Sequence, residues 1–196
     1  IDVDDCYIRN HMMSGNVYES HMINGPLKQI VMDSKYIVDV GANIGCHTVS
    51  YALLNPNCTI WSFEPQTKLF NILQKNVHQN DVQDRVKMYN YGLAHKRMQV
   101  ELASLDDVRD DNHQGWNKGG LGIGKGGEKI SIETLDSLNL PGLDFMKIDV
   151  EGAESLVIQG AKETITKYHP IIFFEHNCQR INPKDVELER VSTPFE

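Results

Sequence analysis

A short apolar run ends in a turn with two glycines, and this junction constrains the fold more than any other part of the chain. The run Tyr36–Val40 is rich in β-branched residues and predicts a strand, and Gly45–Leu54 behind the turn has helical content. The turn itself reads Asp39-Val-Gly41-Ala-Asn43-Ile-Gly45. Its glycines let a backbone approach a ligand closely. This unit is typical of α/β proteins that bind ligands at the carboxyl ends of strands.

The same alternation of strand and helix continues along the chain. Further strands are predicted at 58–63, 86–91, 145–150 and 171–174, with helices at 66–80 and 151–168. Because these strands are apolar throughout, we predict an α/β fold with a Rossmann-like, mostly parallel sheet and helices on both faces, and a buried strand at 171–174. The 196 residues favour a single domain, with 1–35 as an amino-terminal cover and 36–196 as its main body.

One region interrupts this alternation. Strand-like segments at 99–102 and 129–133 flank residues 115–127, which hold seven of the fifteen glycines. We predict an inserted β-hairpin with a mobile tip.

The turn after the first strand indicates which nucleoside cofactor the chain binds. A dinucleotide fingerprint, G-x-G-x-x-G, starting at Gly41 would need glycine where Asn43 and Cys46 stand. The carboxylate of Asp39 would repel a pyrophosphate but suits S-adenosylmethionine, which carries an ammonium and a sulfonium. Glu64, at the end of the next strand, can accept both ribose hydroxyls of either NAD or S-adenosylmethionine. Singly, Asp39 could instead cap the following helix, and Glu64 could be a solvated strand end.

The later strands also end in polar residues that could take part in catalysis. Asp149, Glu175 and His176 fall at the edge of the sheet where a ligand binds, and any of them could serve as a general base for a hydroxyl. His176 could titrate near neutral pH. A weaker alternative is a divalent metal held by Asp149, Glu175 and Asn177.

Several segments together resemble the FkbM-type class I methyltransferases, which depend on S-adenosylmethionine. The segments that carry the resemblance are Val38–Gly45, Phe63–Pro65, Thr134–Leu138, Met146–Glu154, Gly160–Ala161 and the strand from Pro170 to Glu175. The stretch Asp-Val-Glu-Gly-Ala-Glu at 149–154 is the most family-specific part. The resemblance covers roughly residues 36–177 and implies an O-methyltransferase acting on hydroxyls of sugars or natural products.

The resemblance also implies roles for individual residues. Three groups would contact successive parts of the cofactor. The methionine end would be held by Asp39, Gly41, Asn43 and Gly45, the ribose by Glu64, and the adenine by Asn90–Leu93, including Gly92. A glycan or other small-molecule hydroxyl would be the acceptor.

Composition and the spacing of the cysteines indicate which acceptors and which cellular compartment are expected. The net charge of −8 argues against a nucleic-acid acceptor or an anionic membrane surface. The sequence shows no signal peptide and no membrane-spanning run, and four widely spaced cysteines favour free thiols in a reducing, cytoplasmic compartment. The chain starts at Ile1 and leaves 21 residues after Glu175, so we expect a processed form, a fragment or one domain of a larger, glycan-building polypeptide.

Three other hypotheses remain at this point. A nicotinamide-dependent oxidoreductase would lack its glycine fingerprint. A nucleic-acid methyltransferase would lack a basic stripe. A non-catalytic module, either a degenerate cofactor-binding domain or a scaffold, would be expected to have lost part of the set Asp39, Gly41, Gly45 and Glu64, which is intact here.

Overall fold

A computed structural model describes residues 19–103, 124, 126–150 and 152–174. The helices are α1 (Ser20–Ile23), α2 (Pro26–Asp33), α3 (Cys46–Leu54), α4 (Thr67–Gln79), α5 (Glu154–Gln159) and α6 (Lys162–Tyr168), with a 3₁₀ turn at Asp136–Leu138. The strands are β1 (Tyr36–Val40), β2 (Thr59–Phe63), β3 (Val86–Tyr89), β4 (Gly92–Leu93), β5 (Met98–Ala103), β6 (Gly126–Glu133), β7 (Phe145–Ile148) and β8 (Ile171–Phe174).

The main sheet has five strands in the order β3-β2-β1-β7-β8, and every neighbouring pair is parallel. Alternate residues of β1 enter different apolar clusters: Ile37 packs with α1–α4 on one face, whereas Val38 and Val40 pack with α5 on the other. The predicted Rossmann-like sheet, covered on both faces, is therefore confirmed. Its strands read as apolar because both of their faces are buried.

A second, smaller sheet contains the inserted hairpin. Strands β5 and β6 pair antiparallel, as predicted, and β6 also pairs parallel with the two-residue strand β4. Buried Leu102, Ile130 and Ile132 form a cluster of their own with Ala94. The predicted glycine-rich tip lies almost entirely outside the described residues.

The single helix predicted over 151–168 is wrong. The structure has two helices, α5 and α6, which are separated at Gly160 and Ala161. A Cβ atom at position 160 would lie 1.9 Å from the carbonyl oxygen of Ala94, so only glycine fits there. The carboxylate of Asp136 accepts the backbone N–H groups of Glu163 and Thr164 and so satisfies the start of α6.

The prediction that strand 171–174 is buried is also wrong. In the described part of the chain, β8 is the last strand of its sheet, and its end residues Ile171 and Phe174 are 53% and 46% exposed. Apolar composition therefore identified the strand but not its place in the sheet.

The predicted amino-terminal cover is helical where it is described. Ile23 of α1 and Leu27 and Val31 of α2 pack into the same core cluster as Ile37. The domain boundaries themselves stay a prediction. None of the helices within the described ranges is long and apolar enough to cross a membrane. Cys58 is a buried free thiol, whereas Cys6 and Cys178 lie outside the described residues.

Candidate active site

A cavity of about 310 Å³ opens at the carboxyl ends of the central strands. Its walls come from the ends of β1, β2, β4 and β7, from the hairpin strands β5 and β6, and from α5. The lining residues are Val40, Gly41, Phe63, Glu64, Pro65, Gln66, Gly92, Leu93, Ala94, Met98, Leu102, Ile130, Ile132, Asp149, Val150, Gly152, Ala153 and Leu156. This is the place where open α/β sheets bind their ligands.

The turn after β1 has a backbone that depends on glycine. Gly41 has a φ of +76°, and a Cβ atom there would lie 1.8 Å from the carbonyl oxygen of Asp149. Gly45 has a φ of +88°, and Asn43 between them also has a positive φ, of 53°. The N–H groups of Gly41 and Ala42 donate to the carbonyl of Phe63, which ties the turn to the end of β2. Gly41 lines the cavity, whereas Asn43 and Gly45 hold the turn behind it.

Glu64 is the carboxylate in the wall of the cavity that is most deeply buried, with 4% of its surface exposed. Its two oxygens accept the backbone N–H groups of Asn43 and Gln66, each at 2.9 Å. Burial raises the pKa of Glu64 to about 7, although both hydrogen bonds favour the ionised form. A carboxylate has about four acceptor positions, so two positions remain for hydroxyl donors.

Asp39 does not face the cavity. Its side chain is completely buried, and the register of the sheet places it between Ser62 of β2 and Lys147 of β7. The hydroxyl of Thr48, on α3, donates to Asp39 at 2.6 Å and lies 2.8 Å from the hydroxyl of Ser62. These side chains form a polar row beneath the turn, so Asp39 is placed to support the turn from within the sheet.

Lys147 completes this row and was not singled out in the sequence. Its ammonium is buried, lies 3.5 Å from Asp39 and 3.2 Å from Asp149, and donates to the carbonyl of Gly41 at 3.2 Å. Burial alone would lower the pKa of Lys147, but the two carboxylates outweigh burial and raise it above the usual value. A lysine in the middle of an otherwise apolar buried strand is the signal that could have pointed to it.

The predicted adenine segment is only partly in the wall. Gly92 and Leu93 line the cavity. The amide of Asn90 instead donates to the carbonyls of Glu64 and Pro65, and its side-chain oxygen accepts from Thr67. Asn90 therefore holds the end of β2 in place.

Next to the polar row lies a second buried group, His47 of α3. Its ring contacts that of Tyr51, and its Nε2 lies 3.2 Å from the carboxylate of Glu19. Burial, helped by the nearby Lys147 cation, lowers the pKa of His47 to about 4. His47 is therefore neutral at pH 7, and its contact with Glu19 joins the amino-terminal cover to α3.

Of the predicted catalytic residues, the structure describes one. Asp149 lines the cavity, with 32% of its side chain exposed. Glu175, His176 and Asn177 lie outside the described residues, so their roles stay predictions. Within the residues that the structure does describe, no group of three or more His, Cys, Asp or Glu side chains could hold a metal ion.

Comparison with known proteins identifies a protein family that matches most of the chain. A model of the methyltransferase FkbM domain matches residues 39–190. The fold is similar to that of a methyltransferase FkbM from Methylobacillus flagellatus, with a TM-score of 0.52, 19% identity, and coverage of 72% of this chain and 32% of the other.

Three curated relatives are similar in sequence over much of the chain. They are methyltransferase sdnD of Sordaria araneosa (27% identical, over 65% of this chain and 61% of the relative), 2-O-methyltransferase NoeI of Sinorhizobium fredii (25%, over 79% and 68%) and hexuronic acid methyltransferase AglP of Haloferax volcanii (26%, over 76% and 58%). The chain thus spans roughly three fifths to two thirds of these relatives' lengths.

Proposed function

Because the chain belongs to the FkbM methyltransferase family, we propose that it transfers a methyl group from S-adenosylmethionine to a hydroxyl of a sugar or a related small molecule. The single observation that carries this proposal is the pair formed by the glycine-dependent turn at Gly41 and the buried carboxylate of Glu64 in one cavity. Together they suit a nucleoside whose other end carries positive charge.

The residues of the cavity fit the adenosine part of the cofactor. Glu64 has two acceptor positions left for the ribose hydroxyls, because its other two accept backbone N–H groups. Gly92 and Leu93 supply close backbone and apolar contact on the side where the resemblance puts the adenine. The hairpin residues Met98 and Ile132 extend this apolar wall.

We place the methionine end of S-adenosylmethionine at the polar side of the cavity. Gly41 and Asp149 line it there, and Asp39 stands behind them within the sheet. We therefore assign Asp39 to the support of the turn and Asp149 to contact with the ligand. Asn43 and Gly45 keep the turn in its conformation, since both have positive φ.

When bound, S-adenosylmethionine supplies a methyl group that its sulfonium activates toward an oxygen nucleophile. The contribution of the protein is to hold donor and acceptor in line and to exclude water. A base near the acceptor hydroxyl would aid the reaction. Asp149, Glu175 and His176 remain the candidates for that role.

The acceptor is inferred from the relatives and from charge. One relative is named for 2-O-methylation and another for a hexuronic acid. The net charge of −8 disfavours a polyanionic acceptor such as nucleic acid. A small hydroxyl-bearing molecule, most plainly a sugar, therefore has the best support.

The test begins with calorimetric titration of the chain with S-adenosylhomocysteine. We expect one-to-one binding, which the variant Glu64→Gln weakens and the exposed Glu163→Gln on α6 leaves unchanged. Transfer of labelled methyl to a panel of sugars, including hexuronic acids, and to phenolic and nucleic-acid acceptors would then identify the class. Absence of binding would overturn the assignment of the cavity, and transfer to the other acceptors alone would overturn the assignment of the sugar.

A further inference from the structure

The ammonium of Lys147 touches three groups that belong to different parts of the site. It lies 3.5 Å from Asp39 in β1, 3.2 Å from Asp149 beyond the end of its own strand, and 3.2 Å from the carbonyl oxygen of Gly41 in the turn. Two of these groups, Asp149 and Gly41, line the cavity, whereas Asp39 does not. Lys147 therefore connects the interior of the sheet to the wall of the cavity.

Sheet register makes this contact possible. Lys147 pairs directly with Asp39 across the β1–β7 ladder, and the two side chains share the face that α3 covers. Residues 147 and 149 are two apart, so in an extended chain their side chains point the same way. One cation thus meets both carboxylates without leaving its strand.

A buried cation in this position costs solvation, which only close partners can offset. Only 4% of the Lys147 side chain is exposed. Asp149, one of these partners, reaches the rim of the cavity, where 32% of its side chain is exposed. The aminoacyl end of S-adenosylmethionine carries an ammonium that could approach this rim.

We propose that Lys147 is a positioning residue for the aminoacyl end of the cofactor: it holds the Asp149 carboxylate and the Gly41 carbonyl in the orientation that accepts the cofactor's ammonium. This inference rests on the proposed function, since it assumes that the cavity binds an S-adenosyl ligand. Lys147 itself lies behind the wall and acts through its two partners. Its direct contacts are with Gly41, Asp39 and Asp149, whereas it acts on Glu64, the proposed ribose-binding residue, only through a longer-range Coulomb interaction.

The experiment compares two ligands that differ only beyond the sulfur. S-adenosylhomocysteine has the aminoacyl end, whereas 5′-deoxy-5′-methylthioadenosine keeps the adenosine and thioether without it. For Lys147→Met we expect the Kd of S-adenosylhomocysteine to rise at least tenfold, whereas that of methylthioadenosine changes less than twofold. Lys162→Met, an exposed lysine on α6, serves as the control and leaves both affinities unchanged.

A second variant tests whether the loss of affinity comes from misfolding of the first variant. Lys147→Met leaves Asp39 as a buried carboxylate without its cation, so Asp39→Asn/Lys147→Met removes both charges together. This double variant should show the same selective loss of S-adenosylhomocysteine affinity. A parallel weakening of both ligands would mean general damage to the site and would overturn the inference, as would unchanged binding of both.

The same titrations separate this inference from the proposed function. If the unaltered chain binds neither ligand, the S-adenosyl site is wrong and the inference fails with it. If the unaltered chain binds both ligands and the Lys147 variants bind them with unchanged preference, the proposed function stands and only the role of Lys147 is refuted.

Discussion

Asp39 and Glu64 are both buried carboxylates at the ends of neighbouring parallel strands, yet their surroundings differ. Asp39 lies within ion-pair distance of Lys147 and accepts from the hydroxyl of Thr48. Glu64 accepts two backbone N–H groups, and burial raises its pKa to about 7. The charge of Asp39 is balanced within the protein, whereas that of Glu64 is balanced only in part.

This difference separates a carboxylate that stabilises the fold from one that is suited to bind a ligand. A buried acid with a cation beside it has little need of a further partner. A buried acid with neutral donors alone gains from a ligand that brings more hydrogen bonds. On this basis we propose that Glu64 is the ligand-binding acid and that Asp39 is the acid that keeps Lys147 and the turn in place.

The largest expected effect is on stability when the internal pair is broken. Asp39→Asn leaves the buried Lys147 with one carboxylate in place of two, and we expect a loss of about 3 kcal/mol in the free energy of unfolding. Urea denaturation measures this loss, with the exposed Asp84→Asn as the matched control. A loss no greater than that of the control would contradict the structural role of Asp39.

The next effect is on ligand affinity, at Glu64. Glu64→Gln removes the charge that strengthens its hydrogen bonds, so we expect S-adenosylhomocysteine to bind about tenfold or more weakly, the equivalent of about 1.5–3 kcal/mol. Methylthioadenosine should weaken to the same extent, because it shares the ribose. Selective weakening of S-adenosylhomocysteine alone would place Glu64 at the wrong end of the ligand.

A third effect concerns pH. The pKa of Glu64 is about 7 in the folded state, because burial raises it from the ordinary value of 4.5. The folded state therefore binds this proton more tightly than the unfolded state does. The contribution of Glu64 to the free energy of unfolding is complete below pH 4.5 and is lost as the pH rises through 7, by at most about 1.4 kcal/mol per pH unit. Unfolding measured from pH 5 to 8 without ligand should show the unaltered chain losing stability relative to Glu64→Gln.

The contribution of His47 to the free energy of unfolding changes with pH in the opposite direction over much of the same pH range. Its folded pKa of about 4 lies below the usual 6.5, so its stability is present above pH 6.5 and lost as pH falls through 4. The difference between the unaltered chain and Glu64→Gln isolates the carboxylate, because His47 is common to both. A difference that does not change with pH would mean that Glu64 is not held protonated by burial.

The smallest effect is expected in the apolar wall. Ile132→Val removes one methylene from a cavity-lining residue of β6, and we expect about 1 kcal/mol of lost stability with a loss of S-adenosylhomocysteine affinity below threefold. Val100→Ala, in the same cluster but outside the cavity wall, should affect stability alone. Equal loss of affinity in both variants would show that the hairpin acts through general packing.

Local patterns in the sequence predicted most of the fold. Strand β1, the turn at Gly41 and helix α3 follow from β-branched content, glycine and periodicity, all of which act within a few residues. The hairpin strands were also predicted close to their observed bounds. The single helix over 151–168 was not, because the break at Gly160 depends on the close approach of Ala94 from a distant segment.

The candidate site was predictable to a lesser degree. The positions of Gly41, Glu64, Gly92 and Leu93 at one edge of the sheet follow from strand ends, and all four line the cavity. The inward placement of Asp39 does not, since an acid at a strand end reads equally well as a ligand contact or a helix cap. Only packing with Thr48 and Lys147 separates these readings.

The sequence by itself determined the alternation of strands with helices and the glycine-dependent turn, because those depend on local sterics and on hydrophobic periodicity. The tertiary structure decided that Lys147 lies opposite Asp39, that β8 is the last strand of its sheet in the described part, and that Asp136 caps α6. These three features join residues far apart in the chain. Register, burial and charge pairing therefore act on them only once the sheet has formed.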